Sequence, residues 1–257
     1  MTQEISLPTT PALPWGPKAT VALGVLIIFC YLVITMVNLG IGVGFEIAAQ
    51  GIPESEAQAA AEIITEKLAL DGDFNFINYF VCFFIFVPVL WLLARKRKVT
   101  TVAAYFALDK FPQRSQWTNY SLALVGYIIF THVMTRLLGI ETPASMVDLY
   151  QTTDYFVSGF IVLVICAPIL EEMFFRGFLF KGWQASKLGA VGAIILTSIL
   201  FTVVHAQQYD ISILAFLLIF SFILGIARYQ SGSLYLPIYL HFLNNLYSTI
   251  ELQLLLG

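Results

Sequence analysis

Ionisable and amide side chains occur in three short motifs, each inside a run of apolar residues. The motifs are Glu171-Glu172-Met-Phe-Phe-Arg176, Phe201-Thr-Val-Val-His205 and His241-Phe-Leu-Asn-Asn245. Placing an ionisable group in a membrane costs about 2.5–3.5 kcal/mol on insertion scales, so such groups inside apolar segments indicate a functional site. Carboxylate, imidazole and amide groups together can activate water and stabilise an oxyanion, which is hydrolytic chemistry.

The two adjacent glutamates of the first motif should have different surroundings, because neighbouring residues on a helix point about 100° apart. Glu172 precedes Arg176 by four residues, the favoured order for an ion pair along a helix. We therefore predict that Glu172 and Arg176 form a supporting ion pair. Glu171 has no such partner nearby in the sequence and is the candidate general base. A structural alternative is a buried polar cluster that only holds helices together.

The spacing of the first two motifs predicts that Glu171 and His205 lie at the same level of a helical hairpin. The apolar runs are interrupted near Leu188, and the two residues lie at equal sequence distances on either side of it. At ~1.5 Å per residue, each would lie ~25 Å from the turn. We predict that His205 assists Glu171 in activating water, although a lone histidine on an apolar helix can also be a packing residue.

The third motif places His241 and Asn245 four residues apart, on one face of a helix. An imidazole and an amide can each donate a hydrogen bond, and two donors directed at one point can stabilise an oxyanion. We predict this role for the pair. Taken alone, the same residues could form a polar contact between membrane helices.

The composition indicates that most of the chain contacts lipid or other helices. Of the 257 residues, 59% are apolar and 11% are charged, whereas about 25% of the residues of a soluble domain are charged. The net charge of −3 gives no support for nucleic-acid binding. Cys30, Cys82 and Cys166 lie in separate apolar runs and form neither a disulfide framework nor a Cys-x-x-Cys metal site.

Seven apolar runs approach the roughly 20 residues that a membrane helix needs. They cover about 19–45, 76–94, 117–139, 156–180, 188–206, 211–228 and 233–256. We predict an all-α, polytopic transmembrane helical bundle of about seven spans. Residues 1–150 would supply N-terminal spans and variable loops, and residues 151–257 the catalytic helical core. Helical spacing of apolar residues also predicts a short amphipathic helix over residues 57–68, in the loop after the first span.

The loops predict how the chain is oriented in the membrane. Residues 46–73 contain seven acidic residues and Lys67 as the only basic one, whereas residues 95–114 contain six basic residues and Asp109 as the only acidic one. Basic loops remain in the cytoplasm. We therefore predict a multi-pass protein of the inner or plasma membrane, with a cytoplasmic N-terminus, the loop 95–116 inside and the loop 46–75 outside.

The patterns EExxxR, FxxxH and HxxxN, in this order on successive apolar runs, resemble the CAAX protease and bacteriocin-processing family (CPBP or Abi), which includes the type II CAAX prenyl endopeptidase. The run from Arg228 to His241 is also similar, and the resemblance covers roughly residues 157–250. It implies an intramembrane endopeptidase with Glu171, His205, His241 and Asn245 at the catalytic centre. It also implies a membrane-anchored peptide or protein substrate, including one prenylated or otherwise lipidated at a C-terminal cysteine.

Alternatives remain open for the mechanism and for the class of protein. Glu171, His205 and His241 could form a two-His, one-carboxylate zinc site, which would make the protein a zinc-dependent intramembrane metalloprotease. We favour a mechanism without metal or other cofactor, because Asn245 is a poor zinc ligand and fits oxyanion binding better. The other classes are a non-catalytic membrane immunity or chaperone protein and a proton-coupled transporter. The inverted repeats or paired broken helices of many transporters are not evident.

Overall fold

The computed structural model describes residues 15–97 and 101–256, and these residues form ten helices and no strand. The bounds are α1 Pro17–Ala49, α2 Ala57–Leu70, α3 Gly72–Lys96, α4 Val102–Phe106, α5 Arg114–Leu138, α6 Ala144–Gln151, α7 Phe156–Gln184, α8 Gly189–Val204, α9 Ile211–Ser231 and α10 Tyr235–Leu256. The all-α bundle is confirmed. Lys98, which contributes to the predicted basic loop, lies outside the described residues.

Five of the helices are long and apolar enough to cross a membrane, namely α1, α3, α5, α7 and α9. The other two predicted spans correspond to α8 and α10. Helix α8 has only 16 residues, and α10 carries the polar residues His241, Asn244, Asn245 and Glu251, which lower its hydropathy. The total of seven spans therefore stays a prediction.

Helix α7 lies at the centre of the bundle and carries the first motif. Half of the residues in its most apolar 18-residue stretch are buried. In the corresponding stretches of α1 and α5, 11% and 6% of the residues are buried. Its phenylalanines pack against α3, α4 and α8 in the main hydrophobic cluster, with Phe178 and Phe180 fully buried. The peripheral helices α1 and α5 thus leave most of their apolar surface to lipid.

The amphipathic helix expected after the first span is present as α2. Its side chains Ile64 and Leu68 are buried against Val43 of α1. The sequence prediction of this helix is therefore confirmed, and its apolar face covers the end of α1.

Helix ends place the third motif near the centre of the bundle. Gly232 ends α9 with a left-handed φ of +65°, a conformation that glycine adopts without strain. The N–H of Leu234 donates to Ala107 O at 3.1 Å and ties the following turn to the loop after α4. Pro237 lies in the first turn of α10, where its missing N–H has no intrahelical acceptor anyway. His241 follows about one turn later and points into the core.

Candidate active site

The two glutamates of the first motif lie between two π-helical segments of α7, at residues 162–166 and 173–179, and Arg176 lies in the second segment. A π turn shifts the backbone hydrogen bonds and leaves carbonyl groups for side chains, and such turns are frequent at functional sites. Asn245 donates to Leu163 O at 2.9 Å in the first segment. Arg228 donates to Arg176 O at 3.1 Å in the second. Polar residues of α10 and α9 therefore hold α7 on both sides of the glutamates.

Glu172 is at the centre of a fully buried charged cluster. Its Oε1 lies 2.9 Å from Nη1 of Arg176 and 3.0 Å from Nδ1 of His241. Glu172 and Arg176 are 0% exposed, and the His241 side chain is 5% exposed. The predicted Glu172–Arg176 ion pair is present, and it extends to His241, which the sequence analysis had not joined to it. Glu172 therefore fixes the orientation of the imidazole as well as the charge of Arg176.

Arg176 is held by α8 and α9 in addition to Glu172. Its Nη2 donates to the backbone oxygen of Ser221 at 3.0 Å and to the Ser221 hydroxyl at 2.5 Å. The guanidinium also lies 4.6 Å from the ring centroid of Phe201, a cation–π distance. Two atoms of the cluster, Glu172 Oε2 and Arg176 Nε, have no hydrogen-bond partner among the described residues.

Glu171 faces a different neighbourhood and is 17% exposed at its side chain. Tyr79 of α3 donates its hydroxyl proton to Glu171 Oε1 at 2.8 Å. The other carboxylate oxygen, Oε2, lies 3.9 Å from Nε2 of His241. His241 thus stands between the two glutamates, with one ring nitrogen toward each.

His205 lies at the level of Glu171 but has other partners. The rings of Phe175 and Phe201 pack with their centroids 5.2 Å apart. Phe175 lies one turn after Glu171 and Phe201 one turn before His205, so α7 and α8 pair in the expected register. However, Nδ1 of His205 contacts Phe201 O at 2.7 Å, and no ion pair joins His205 to Glu171 among the described residues. The structure therefore brings His241, rather than His205, next to Glu171.

Tyr209, in the connection after α8, adds an electrostatic link between His205 and Glu171. Its ring stacks on the His205 imidazole, with centroids 6.1 Å apart and planes 7° apart. Burial raises the pKa of the Tyr209 phenol to about 12, and the Glu171 carboxylate adds to this rise. Glu171 therefore interacts with Tyr79 through a hydrogen bond and acts on Tyr209 through its charge.

The donor groups do not form a three-ligand metal site. Within residues 15–97 and 101–256, no three His, Cys, Asp or Glu side chains lie close enough together to hold a metal ion. His241 turns its Nδ1 to Glu172, and His205 turns its Nδ1 to a backbone carbonyl. The predicted set of Glu171, His205 and His241 would have to rearrange to bind zinc in tetrahedral geometry.

Two cavities lie beside the site. One of about 260 Å³ is lined only by apolar and aromatic residues, including Ile169 of α7 and Phe242 of α10, which are close in sequence to Glu171 and His241. The other, of about 420 Å³, is lined partly by Leu163 and Thr249, near the bond that Asn245 makes. The polar and charged residues of the motifs line neither of these two cavities.

Sequence reasoning missed Tyr79 and the contact between Glu172 and His241. A tyrosine in the apolar run of α3 is not unusual, because Tyr is common in membrane proteins. The only signal was a cluster of polar groups, Asn75, Asn78 and Tyr79, in a segment otherwise rich in phenylalanine. Their partners could not be named without knowing which faces of α1, α3 and α7 meet.

Comparisons with known proteins agree with the motifs. Residues 153–247 match the family model described as type II CAAX prenyl endopeptidase, Rce1-like. An uncharacterized 24.3 kDa protein of Escherichia coli is 32% identical over 126 residues, which are 46% of this chain and 58% of that protein. The alignment thus spans little more than half of that relative, and no solved structure gives a significant match. Residues 153–247, which contain all three motifs, are thus similar to the Rce1-like type II CAAX prenyl endopeptidases, and this match supports the resemblance to the CAAX protease and bacteriocin-processing family.

Proposed function

We propose that the protein is an intramembrane endopeptidase that hydrolyses a peptide bond of a membrane-anchored substrate by means of a water molecule activated by Glu171. The observation that carries this proposal is the facing pair of Glu171 and His241. Glu171 Oε2 and His241 Nε2 are 3.9 Å apart in the core of a bundle of apolar helices, and each residue is held by one further residue, Tyr79 or Glu172.

The gap between Glu171 Oε2 and His241 Nε2 suits a bridging water. A separation of 3.9 Å is too long for a direct hydrogen bond, but a water lying to one side can reach both atoms. Such a water donates one hydrogen bond to Glu171 and one to His241. A lone pair of its oxygen is then directed at the substrate carbonyl carbon. Glu171 takes one proton as the water oxygen attacks, and it returns that proton to the leaving amine nitrogen.

Glu172 and Arg176 act by positioning in this mechanism. The Glu172 carboxylate accepts a hydrogen bond from Nδ1–H of His241. In the neutral imidazole Nε2 then carries no proton, and it points toward Glu171. Arg176 neutralises Glu172, and both side chains are fully buried. This refines the roles expected from the sequence, because His241 takes the place beside the water that had been assigned to His205.

Asn245 is proposed to contact the oxyanion, and His205 to contact another polar group of the substrate. One N–H of the Asn245 amide is used by Leu163 O, so the second remains for a substrate oxygen. His205 uses its Nδ1–H for Phe201 O, so Nε2 of the neutral imidazole keeps a lone pair and can accept a hydrogen bond from the substrate. Each oxyanion donor typically contributes 10²–10³-fold to the rate.

A zinc-dependent reaction with the same residues is the competing mechanism. Its ligands would be Glu171, His205 and His241, and its metal would supply a Lewis acid for the water or the carbonyl. The described geometry does not bring these three groups together, so the mechanism above uses no metal. Metal analysis of active, purified protein decides between the two. One zinc per chain, with activity lost on chelation and restored by zinc, would overturn the metal-free mechanism.

The substrate is proposed to be a membrane-anchored peptide or protein, such as one prenylated at a C-terminal cysteine. The support is the family match and the apolar cavity of about 260 Å³ that borders α7 and α10 beside the motif residues. This cavity suits apolar substrate groups that arrive from the bilayer. We also propose that residues 151–257 form the catalytic core, to which α3 contributes Tyr79.

The proposed orientation places the N-terminus and the loop 95–114 in the cytoplasm. Single cysteines at exposed positions Asp109 and Glu54, in a chain whose native cysteines are replaced by alanine, test it. We expect a membrane-impermeant maleimide to label Asp109→Cys only from the cytoplasmic side and Glu54→Cys only from outside. Labelling of both from one side would contradict the orientation.

A cleavage assay separates the peptidase from the other classes of protein. The purified chain is incubated with a farnesylated peptide ending in Cys-a-a-X in proteoliposomes, and products are identified by mass spectrometry. We expect hydrolysis of one peptide bond, with Glu171→Gln as the inactive control. Proton-coupled uptake without cleavage would indicate a transporter, and neither activity across a set of lipidated peptides would favour a non-catalytic immunity or chaperone protein.

A further inference from the structure

Tyr79 contacts the candidate catalytic carboxylate but lies outside the family-matched residues. It belongs to α3, more than 70 residues before the matched segment 153–247 begins. Its hydroxyl donates to Glu171 Oε1 at 2.8 Å, and this is the only hydrogen bond of the Glu171 side chain among the described residues. Nothing in the three motifs assigns a role to this tyrosine.

A hydrogen bond to one oxygen of a carboxylate restricts the rotation of the whole group. With Oε1 bound to Tyr79, Glu171 turns Oε2 toward Nε2 of His241, where the mechanism needs it. Hydrogen bonds to a charged acceptor are roughly twice as strong as neutral ones, so this contact can select one rotamer. The Glu171 side chain is 17% exposed. Without the hydrogen bond from Tyr79 it would therefore be free to take other rotamers.

Helix α3 is itself held firmly at this level by α1. Asn38 of α1 donates to Asn78 Oδ1 at 2.8 Å, and the Asn78 amide lies 3.4 Å from Thr35 Oγ1. The Tyr79 ring packs edge-on against Tyr31, at 6.5 Å between centroids. Polar contacts between membrane helices of this kind fix depth and rotation. The N-terminal spans therefore deliver the Tyr79 hydroxyl to a defined point.

We infer that Tyr79 is a positioning residue that holds Glu171 in its reactive rotamer, so that the N-terminal spans take part in the reaction. This inference rests on the proposed role of Glu171 as general base. It predicts an effect on the chemical step rather than on substrate binding, because Tyr79 touches Glu171 and not the apolar cavity.

The test is Tyr79→Phe, assayed with the farnesylated peptide in proteoliposomes. We expect kcat to fall by about 10- to 100-fold, since small misplacements of a reacting group have effects of this order. KM should change by less than about twofold, because the variant leaves the contacts that bind the substrate unchanged. The matched control is Tyr247→Phe, which removes an equivalent tyrosine hydroxyl, 2.9 Å from Glu251 Oε1 on α10. This control should keep the activity of the unmodified chain.

Further measurements separate positioning from a loss of folded protein. The melting temperatures of Tyr79→Phe, Glu171→Gln and the double variant should not be additive, because both changes act on the same hydrogen bond: Tyr79→Phe removes it, and Glu171→Gln replaces its charged acceptor with a neutral amide oxygen. A Tyr79→Phe kcat equal to that of the unmodified chain, a loss confined to KM, or a fall in kcat matched by lost monodisperse protein would each overturn the inference. If Glu171→Gln itself stays active, the proposed function fails instead.

Discussion

Glu171 and Glu172 are neighbours in the chain but belong to two different regions of the site. Glu172 is 0% exposed and bound to Arg176 and His241 within 3.0 Å. Glu171 is 17% exposed, accepts one hydrogen bond from Tyr79 and leaves its second oxygen 3.9 Å from His241. The first region is closed and charge-paired, whereas the second has an acceptor available for water and substrate.

This difference shows how one helix can separate support from chemistry. Side chains one residue apart point about 100° apart, so Glu172 contacts His241 of α10 while Glu171 contacts Tyr79 of α3. An ion pair stabilises the charged form of a carboxylate, whereas a carboxylate without a fixed cation accepts a proton more readily. His241 connects the two regions, because it uses one ring nitrogen for each.

The largest effect should come from Glu171→Gln. The amide keeps the size of the side chain but removes the general base, so cleavage should fall by about 10²–10⁴-fold. The melting temperature should change little, because no buried charge is left unpaired. Glu251→Gln is the matched control, since Glu251 also accepts a tyrosine hydroxyl and lies near a histidine, His132. Retained cleavage in Glu171→Gln would remove the distinction between the two regions.

Glu172→Gln should act on stability first. It leaves the Arg176 guanidinium buried without a counter-charge, which typically destabilises a protein by about 3–5 kcal/mol. Activity should fall as well, because His241 loses the carboxylate that orients it. The measurement is thermal melting in detergent, together with cleavage by the folded fraction.

A double variant sharpens this second prediction. Glu172→Gln combined with Arg176→Met removes both charges, so its melting temperature should lie above that of Glu172→Gln alone. If the double variant is the less stable of the two, an unpaired charge is not the reason for the loss. The hydrogen bonds from Arg176 to Ser221 would then carry the stability.

The smallest effect should come from Ser221→Ala, which removes one hydrogen bond from the closed region around Glu172 and Arg176. It removes the hydroxyl bound to Arg176 Nη2 and leaves the backbone acceptor in place. A hydrogen bond to a charged group contributes about 1.5–3 kcal/mol, so a small drop in melting temperature with unchanged kcat is expected. Ser198→Ala is the control, because the buried Ser198 hydroxyl has no partner among the described residues. Equal losses in both variants would show that Ser221 does not support Arg176.

Particular residues show how far the sequence alone leads. Local chemistry was readable, since the i, i+4 order of Glu172 and Arg176 predicts their ion pair, and helical spacing predicts α2. The equal spacing around Leu188 predicts the hairpin register seen in the packing of Phe175 on Phe201. The pairing of Glu171 with His205 is not observed as a contact, because level alone does not decide which way a side chain faces.

By itself, the sequence determined the membrane class, the helical architecture, the three motifs and the family resemblance, because hydropathy and short-range spacing are properties of the chain. Only the tertiary structure decided that His241 stands between the glutamates, that Tyr79 binds Glu171 and that Asn245 binds Leu163 O. The physical reason is that membrane helices are apolar on nearly every side, so their periodicity does not reveal which faces meet. The π-helical segments of α7 rotate its faces further, and that rotation depends on the partners that satisfy the freed carbonyls.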